Sequence, residues 1–165
     1  MTQSLADPIA CRHIFIQSIE SRISRVTRIY RNSRFAGEML VAAELSRLGF
    51  EVMLGNIGSH NTKAFDMTAV CPNSGRATSI SVKALKSSNA FLIDPESILP
   101  NSIYVFVITG PAGEQPKFHV IAGRALLAAE DRFFGKYGRT YKTKHGRGIG
   151  HKALVPYLNK WTALE

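Results

Sequence analysis

The chain has 165 residues, 45% of them apolar and 20% charged, with a net charge of +9. That length suits one domain with its own core, and the positive balance favours a polyanionic partner, because phosphate contacts release counterions. No apolar run reaches the length of a membrane span and no signal-peptide pattern is present, while Cys11 and Cys71 are too distant for a CxxC site; the expectation is a cytoplasmic protein without a membrane partner, a disulfide framework or a structural zinc.

Residues 9–31 are predicted as a helix. Ile16, Ile19, Ile23, Val26 and Tyr30 form an apolar stripe, and Arg22, Arg25, Arg28 and Arg31 recur every third residue along a second one. The arginine ladder can clamp a phosphate backbone, form a solvated outer face or meet acids of a partner chain. The apolar stripe gives a homodimer a surface to use. Asn32-Ser33 breaks the pattern, and a second helix is expected from Arg34 to Leu48, stopped by Gly49. Phe35, Met39, Ala42, Ala43 and Ser46 share one side of it, and Leu40, Leu45 and Leu48 widen the buried surface. Glu38 stands among small and apolar neighbours on this helix.

Residues 50–54 read as an edge strand and residues 55–61 as a flexible loop at the mouth of a site. Phe65 to Val70 reads as a strand, Cys71-Pro72-Asn73-Ser74-Gly75 as a turn, and Ala77 to Leu85 as its hairpin partner. Side chains alternate along a strand, so Ser81 and Lys83 face away from Ile80 and Val82, and Asp66 can join them across the ladder. A lysine between Val82 and Ala84 calls for an anion, which Asp66 or a phosphate can supply.

A polar connection from Lys86 to Asn101 leads to Ile103–Ile108, a continuous apolar run expected to be a central strand buried on both faces. A further strand follows over 117–121 and a helix over 123–134. From Gly135 to Gly150 the chain is expected to be irregular. No acidic residue occurs between Arg132 and Leu164, whereas Arg139, Lys142, Lys144, Arg147 and Lys152 offer phosphate contacts. A short terminal helix is expected over 156–163, and Leu164-Glu165 carries no expected role. The order of elements suggests an α/β layer fold around a mixed sheet.

An Asp-Lys pair at the end of a hairpin is either a plain ion pair or part of a phosphodiester-hydrolysing site. In the second case Asp66, the Val82 carbonyl and Glu38, directly or through water, offer the oxygen ligands that Mg²⁺ prefers. Such a metal would polarise a phosphate oxygen and acidify the attacking water, with Lys83 holding that water or offsetting transition-state charge.

Gly37-Glu38 on a helix, Phe65-Asp66 on a strand and Ser81-Val82-Lys83 on the next strand together resemble the PD-(D/E)XK nuclease superfamily, the fold of restriction endonucleases and Holliday-junction resolvases. The ending Tyr157-Leu158-Asn159-Lys160-Trp161 looks like a close seen in uncharacterised relatives of that group. The resemblance spans residues 34–122 as a nuclease-like core, with 1–165 forming a single domain whose extra parts are the N-terminal helix (9–31) and a helix with a basic C-terminal segment (123–165). It implies a restriction-endonuclease-like central mixed sheet of four strands flanked by helices. It also implies a Mg²⁺-dependent (or Mn²⁺-dependent) DNA endonuclease in which Glu38, Asp66, Ser81 and Lys83 form the catalytic set. Position 81 departs from the Glu or Gln of that pattern, and its serine leaves open a second reading, a weak or inactive nuclease fold kept as a DNA-binding module. An RNA-directed role is equally compatible with the basic tail.

Overall fold

The computed structural model describes residues 33–55, 65–134 and 147–164, which belong to one compact unit, Ser33–Glu165. The expected N-terminal helix with Arg22, Arg25 and Arg28, most of the 55–61 loop, and Arg139, Lys142 and Lys144 lie outside the described residues. A helix, α1, covers residues 33–47, and Gly49 ends the turn after it with φ +89, a left-handed conformation that costs glycine nothing.

The chain then forms β1 (Glu51–Leu54), β2 (Met67–Val70), β3 (Ala77–Leu85), β4 (Ala90–Ile93), β5 (Ile103–Ile108) and β6 (Lys117–Ala122). Next come α2 (Gly123–Ala128), α3 (Glu130–Phe134), β7 (Arg147–Gly150) and α4 (His151–Leu154). Five strands make a mixed sheet in the order β1-β2-β3-β5-β6. All its pairs are antiparallel except β3 with β5, which run parallel in the register Ile80↔Ile103 to Leu85↔Ile108. The hairpin, the edge position of β1 and the two-sided burial of β5 agree with the sequence pattern. An α/β fold around a mixed central sheet is therefore observed, with five strands in place of the four that the resemblance implies.

The alternation of side chains gives the sheet two cores. Ile80, Val82, Val105 and Val120 pack on one face with Val41 and Leu45 of α1 and with Leu164. Tyr104, Phe106 and Ile121 pack on the other with Phe91, Ile98, Leu126, Phe133, Ile149 and Leu154. A layer on each face explains why β5 is apolar throughout.

Several expectations are corrected. Residues 86–101 are not only a polar connection: β4 lies there and pairs with β7, so the end of the segment expected to be irregular is a strand. Phe91 and Ile149, opposite each other in that pair, bury their side chains in the second core and drive the pairing. The single helix expected over 123–134 is broken at Ala129, which departs from helical geometry. In place of a terminal helix, two 3-10 turns, Val155–Tyr157 and Trp161–Leu164, flank Asn159. Asn159 has φ +52, and its N–H donates to the Phe118 carbonyl at 2.7 Å, tying the chain to the edge of β6 instead of continuing a helix. Leu164 is 1% exposed, and its carbonyl accepts from the Arg76 guanidinium at 2.7 Å, so Leu164 is part of the core.

On β6, His119 is buried, and its Nδ1 donates to the Leu154 carbonyl at 2.9 Å, since a carbonyl can only accept. Its Nε2 is then a bare acceptor, the one buried side-chain polar atom without a hydrogen-bond partner among the described residues.

Candidate functional site

The buried stripe of α1 runs through Gly37, Glu38, Val41 and Leu45, whereas Phe35, expected to pack, is 64% exposed. Gly37 sets this rotation. A Cβ there would collide with the Ala84 Cβ, so glycine lets α1 settle against β3 where that strand carries Val82 and Lys83. Glu38 follows directly and is carried into the interface, where it is only 9% exposed. A glutamate on the inward stripe of a helix needs a partner.

Asp66 occupies the last position before β2, where the chain leaves the ladder. Its N–H still donates to the Ile80 carbonyl at 2.9 Å, and its own carbonyl accepts from Gly55 at 2.9 Å. The next N–H of β3 that points toward β2, that of Val82, donates instead to Asp66 Oδ2 at 2.7 Å. The carboxylate thus completes the ladder where backbone pairing stops. Ser81 Oγ lies 3.4 Å from the same oxygen, a long and weak contact. N–H and C=O of one strand residue point to the same side, so the Val82 carbonyl faces this opening as well.

The partner of both acids is Arg34. Its Nε donates to Glu38 Oε1 at 2.9 Å and its Nη2 to Asp66 Oδ1 at 3.0 Å, so a single guanidinium bridges helix and sheet. The carboxylate side chains are 11% and 8% exposed, while that of Arg34 is 65% exposed. The guanidinium is held more firmly in its charged form, first by the bond to Glu38; partial burial opposes this and the charge of Asp66 adds to it.

Glu38, Asp66, Ser81 and Val82 therefore converge, but the expected Asp66–Lys83 pair is not formed. Among the described residues the Lys83 side chain takes part in no ion pair or hydrogen bond. It is only partly buried, opposite Phe106 in the register, so its ammonium keeps access to water and needs no internal anion. Arg34 entered the sequence reading only as the start of a helix. The available signal was its spacing of four residues from Glu38, which places both on one face. Of the basic residues expected at a phosphate surface, Lys152 is exposed on α4 and Arg147 lies in β7.

The donor set is chemically suited to a hard divalent cation. Mg²⁺ is commonly held by one or two carboxylates together with waters and substrate phosphates, and Asp66, Glu38 and the Val82 carbonyl supply oxygen donors of that kind. Among the described residues no group of three or more His, Cys, Asp or Glu side chains gathers as a metal-ligand set. No helix among them is long and apolar enough to cross a membrane. A scan against protein-family models finds no match to this chain, and a search of curated proteins finds none.

Proposed function

We propose that this protein is a divalent-metal-dependent DNA endonuclease of the PD-(D/E)XK type, with a restriction-endonuclease-like core. The observation that carries this reading is the meeting of two buried carboxylates, Glu38 from α1 and Asp66 from the head of β2, beside the strand bearing Ser81-Val82-Lys83. The order of α1, an antiparallel β1-β2-β3 meander and a parallel β5 against β3 supports it.

Asp66, Glu38 and the Val82 carbonyl would hold Mg²⁺ or Mn²⁺, which supplies Lewis acidity toward a phosphate oxygen. Asp66 is oriented for this by the Val82 N–H, which fixes Oδ2, while Oδ1 is the oxygen that faces Arg34. Ser81 Oγ makes only a long contact with the same carboxylate. Lys83, which pairs with no acid among the described residues, can offer its ammonium to the negative charge that grows on the phosphoryl oxygens. Exposed basic groups such as Lys152 would add non-specific phosphate attraction.

A second reading, a non-catalytic DNA-binding module, is favoured by two facts: position 81 carries serine, and Arg34 is already ion-paired with both acids. Cleavage of duplex and branched DNA with Mg²⁺ or Mn²⁺, with DNA binding measured in parallel, separates the two. The endonuclease reading expects Lys83→Ala to bind DNA as the parent does while losing about 10²-fold or more in cleavage. Binding without any metal-dependent cleavage by the parent protein would leave the module.

A further inference from the structure

The guanidinium of Arg34 occupies the place between the two carboxylates that a cation would claim. We propose that Arg34 is a resident counter-cation which keeps the Glu38–Asp66 site closed, and that a divalent metal ion binds only by displacing it. The inference rests on the metal-dependent reading of this site and adds a control element to it.

Three observations support it. First, the guanidinium bonds one oxygen of each acid, Glu38 Oε1 at 2.9 Å and Asp66 Oδ1 at 3.0 Å, so it spans the gap instead of lying beside it. Oδ1 is also the Asp66 oxygen not committed to the Val82 N–H. A metal using that oxygen and Glu38 competes with Arg34 for the same charge and the same lone pairs. Second, the arrangement is asymmetric in solvent: the acids are nearly buried, whereas the arginine side chain is 65% exposed. Arg34 can therefore swing into water without uncovering core, while the carboxylates cannot follow it. They would be left as two uncompensated negative charges at low dielectric, which is the condition that draws in a divalent ion. Third, Lys83 makes no ion pair there, so among the described residues Arg34 is the one cation paired with the two acids.

The test is isothermal titration of the full chain with Mn²⁺, comparing the parent with Arg34→Gln and Arg34→Lys. Arg34→Gln is expected to bind Mn²⁺ about tenfold more tightly, the equivalent of one charged hydrogen bond discounted for solvent. Arg34→Lys keeps the charge but offers a point ammonium to two separate carboxylates, and should lie between the two. Adding Glu38→Gln to Arg34→Gln should abolish the gain. Equal or weaker Mn²⁺ binding by both Arg34 variants would overturn the inference and leave the metal-dependent reading intact, with Arg34 a clamp between α1 and β2. No Mn²⁺ binding by any of the proteins would overturn both. If Arg34→Gln does not fold, the Arg34→Lys comparison decides in the same direction.

Discussion

Asp66 is a joint in the sheet as well as a candidate ligand, and its removal should register in stability. Asp66→Ala deletes the acceptor of the Val82 N–H, bonded at 2.7 Å in a residue only 3% exposed. A buried donor left without a partner costs about 1–3 kcal/mol. The Arg34 contact adds at most about 1 kcal/mol, because water screens the exposed guanidinium. The long Ser81 contact adds little. The expected loss is about 1–4 kcal/mol for Asp66→Ala. Asp66→Asn keeps an oxygen for Val82 and forfeits the charge, so about 1–2 kcal/mol is expected. Both losses are below the stability of an ordinary domain, so the variants remain folded at room temperature. Urea unfolding followed by fluorescence of Trp161, the single tryptophan, which packs on Phe118 at 5.5 Å between ring centroids, measures the difference. The midpoint should move with an unchanged slope. Asp66→Ala within about 0.5 kcal/mol of the parent, the range of an ordinary surface change, would refute the role of the carboxylate in completing the ladder.

Three further outcomes are expected from the fold. Gly37→Leu drives a side chain into Ala84 and should destabilise by about 1–3 kcal/mol or more, measured by thermal melting; a neutral result would remove the close helix–strand contact that carries Glu38 inward. Leu164→Ala should cost about 2–4 kcal/mol, and an unchanged melting temperature would show that Leu164 carries no core packing. The pKa of His119 is lowered, first by burial, against the opposing bond to the Leu154 carbonyl and with the help of His151 and Lys117. The unfolded chain then takes up a proton near pH 6.5 before the folded one does. Stability from this group is complete above that pH and declines as pH falls through it toward the lower folded value. Urea midpoints between pH 7.5 and 5 should show this decline in the parent and a flatter profile in His119→Leu; parallel profiles would contradict it.

The central sheet was legible because its signals are local. The Pro72-Asn73-Ser74-Gly75 turn, the alternation through Ser79-Ile80-Ser81-Val82 and the unbroken apolar run of β5 each report on burial at their own position. Asp66 and Ser81 met for the same reason, since the hairpin register places them. What stayed hidden depended on packing between distant parts. The rotation of α1 is set by one Cβ contact of Gly37 with Ala84, so Glu38 turned inward and Phe35 outward against the apolar count. β4 and β7 form a strand pair only because each finds the other across a long separation in sequence. Arg34 was overlooked because a charged residue near the start of a helix is ordinarily solvated, and nothing local announces two acids within its reach.

The most direct test of the central claim is nicking of supercoiled plasmid and of branched DNA in Mg²⁺ or Mn²⁺, with the parent beside Asp66→Asn. Cleavage that requires the metal and falls by about 10²-fold or more in the variant is the predicted result. Equal cleavage by both proteins, or tight DNA binding by the parent with no metal-dependent cleavage, would contradict it.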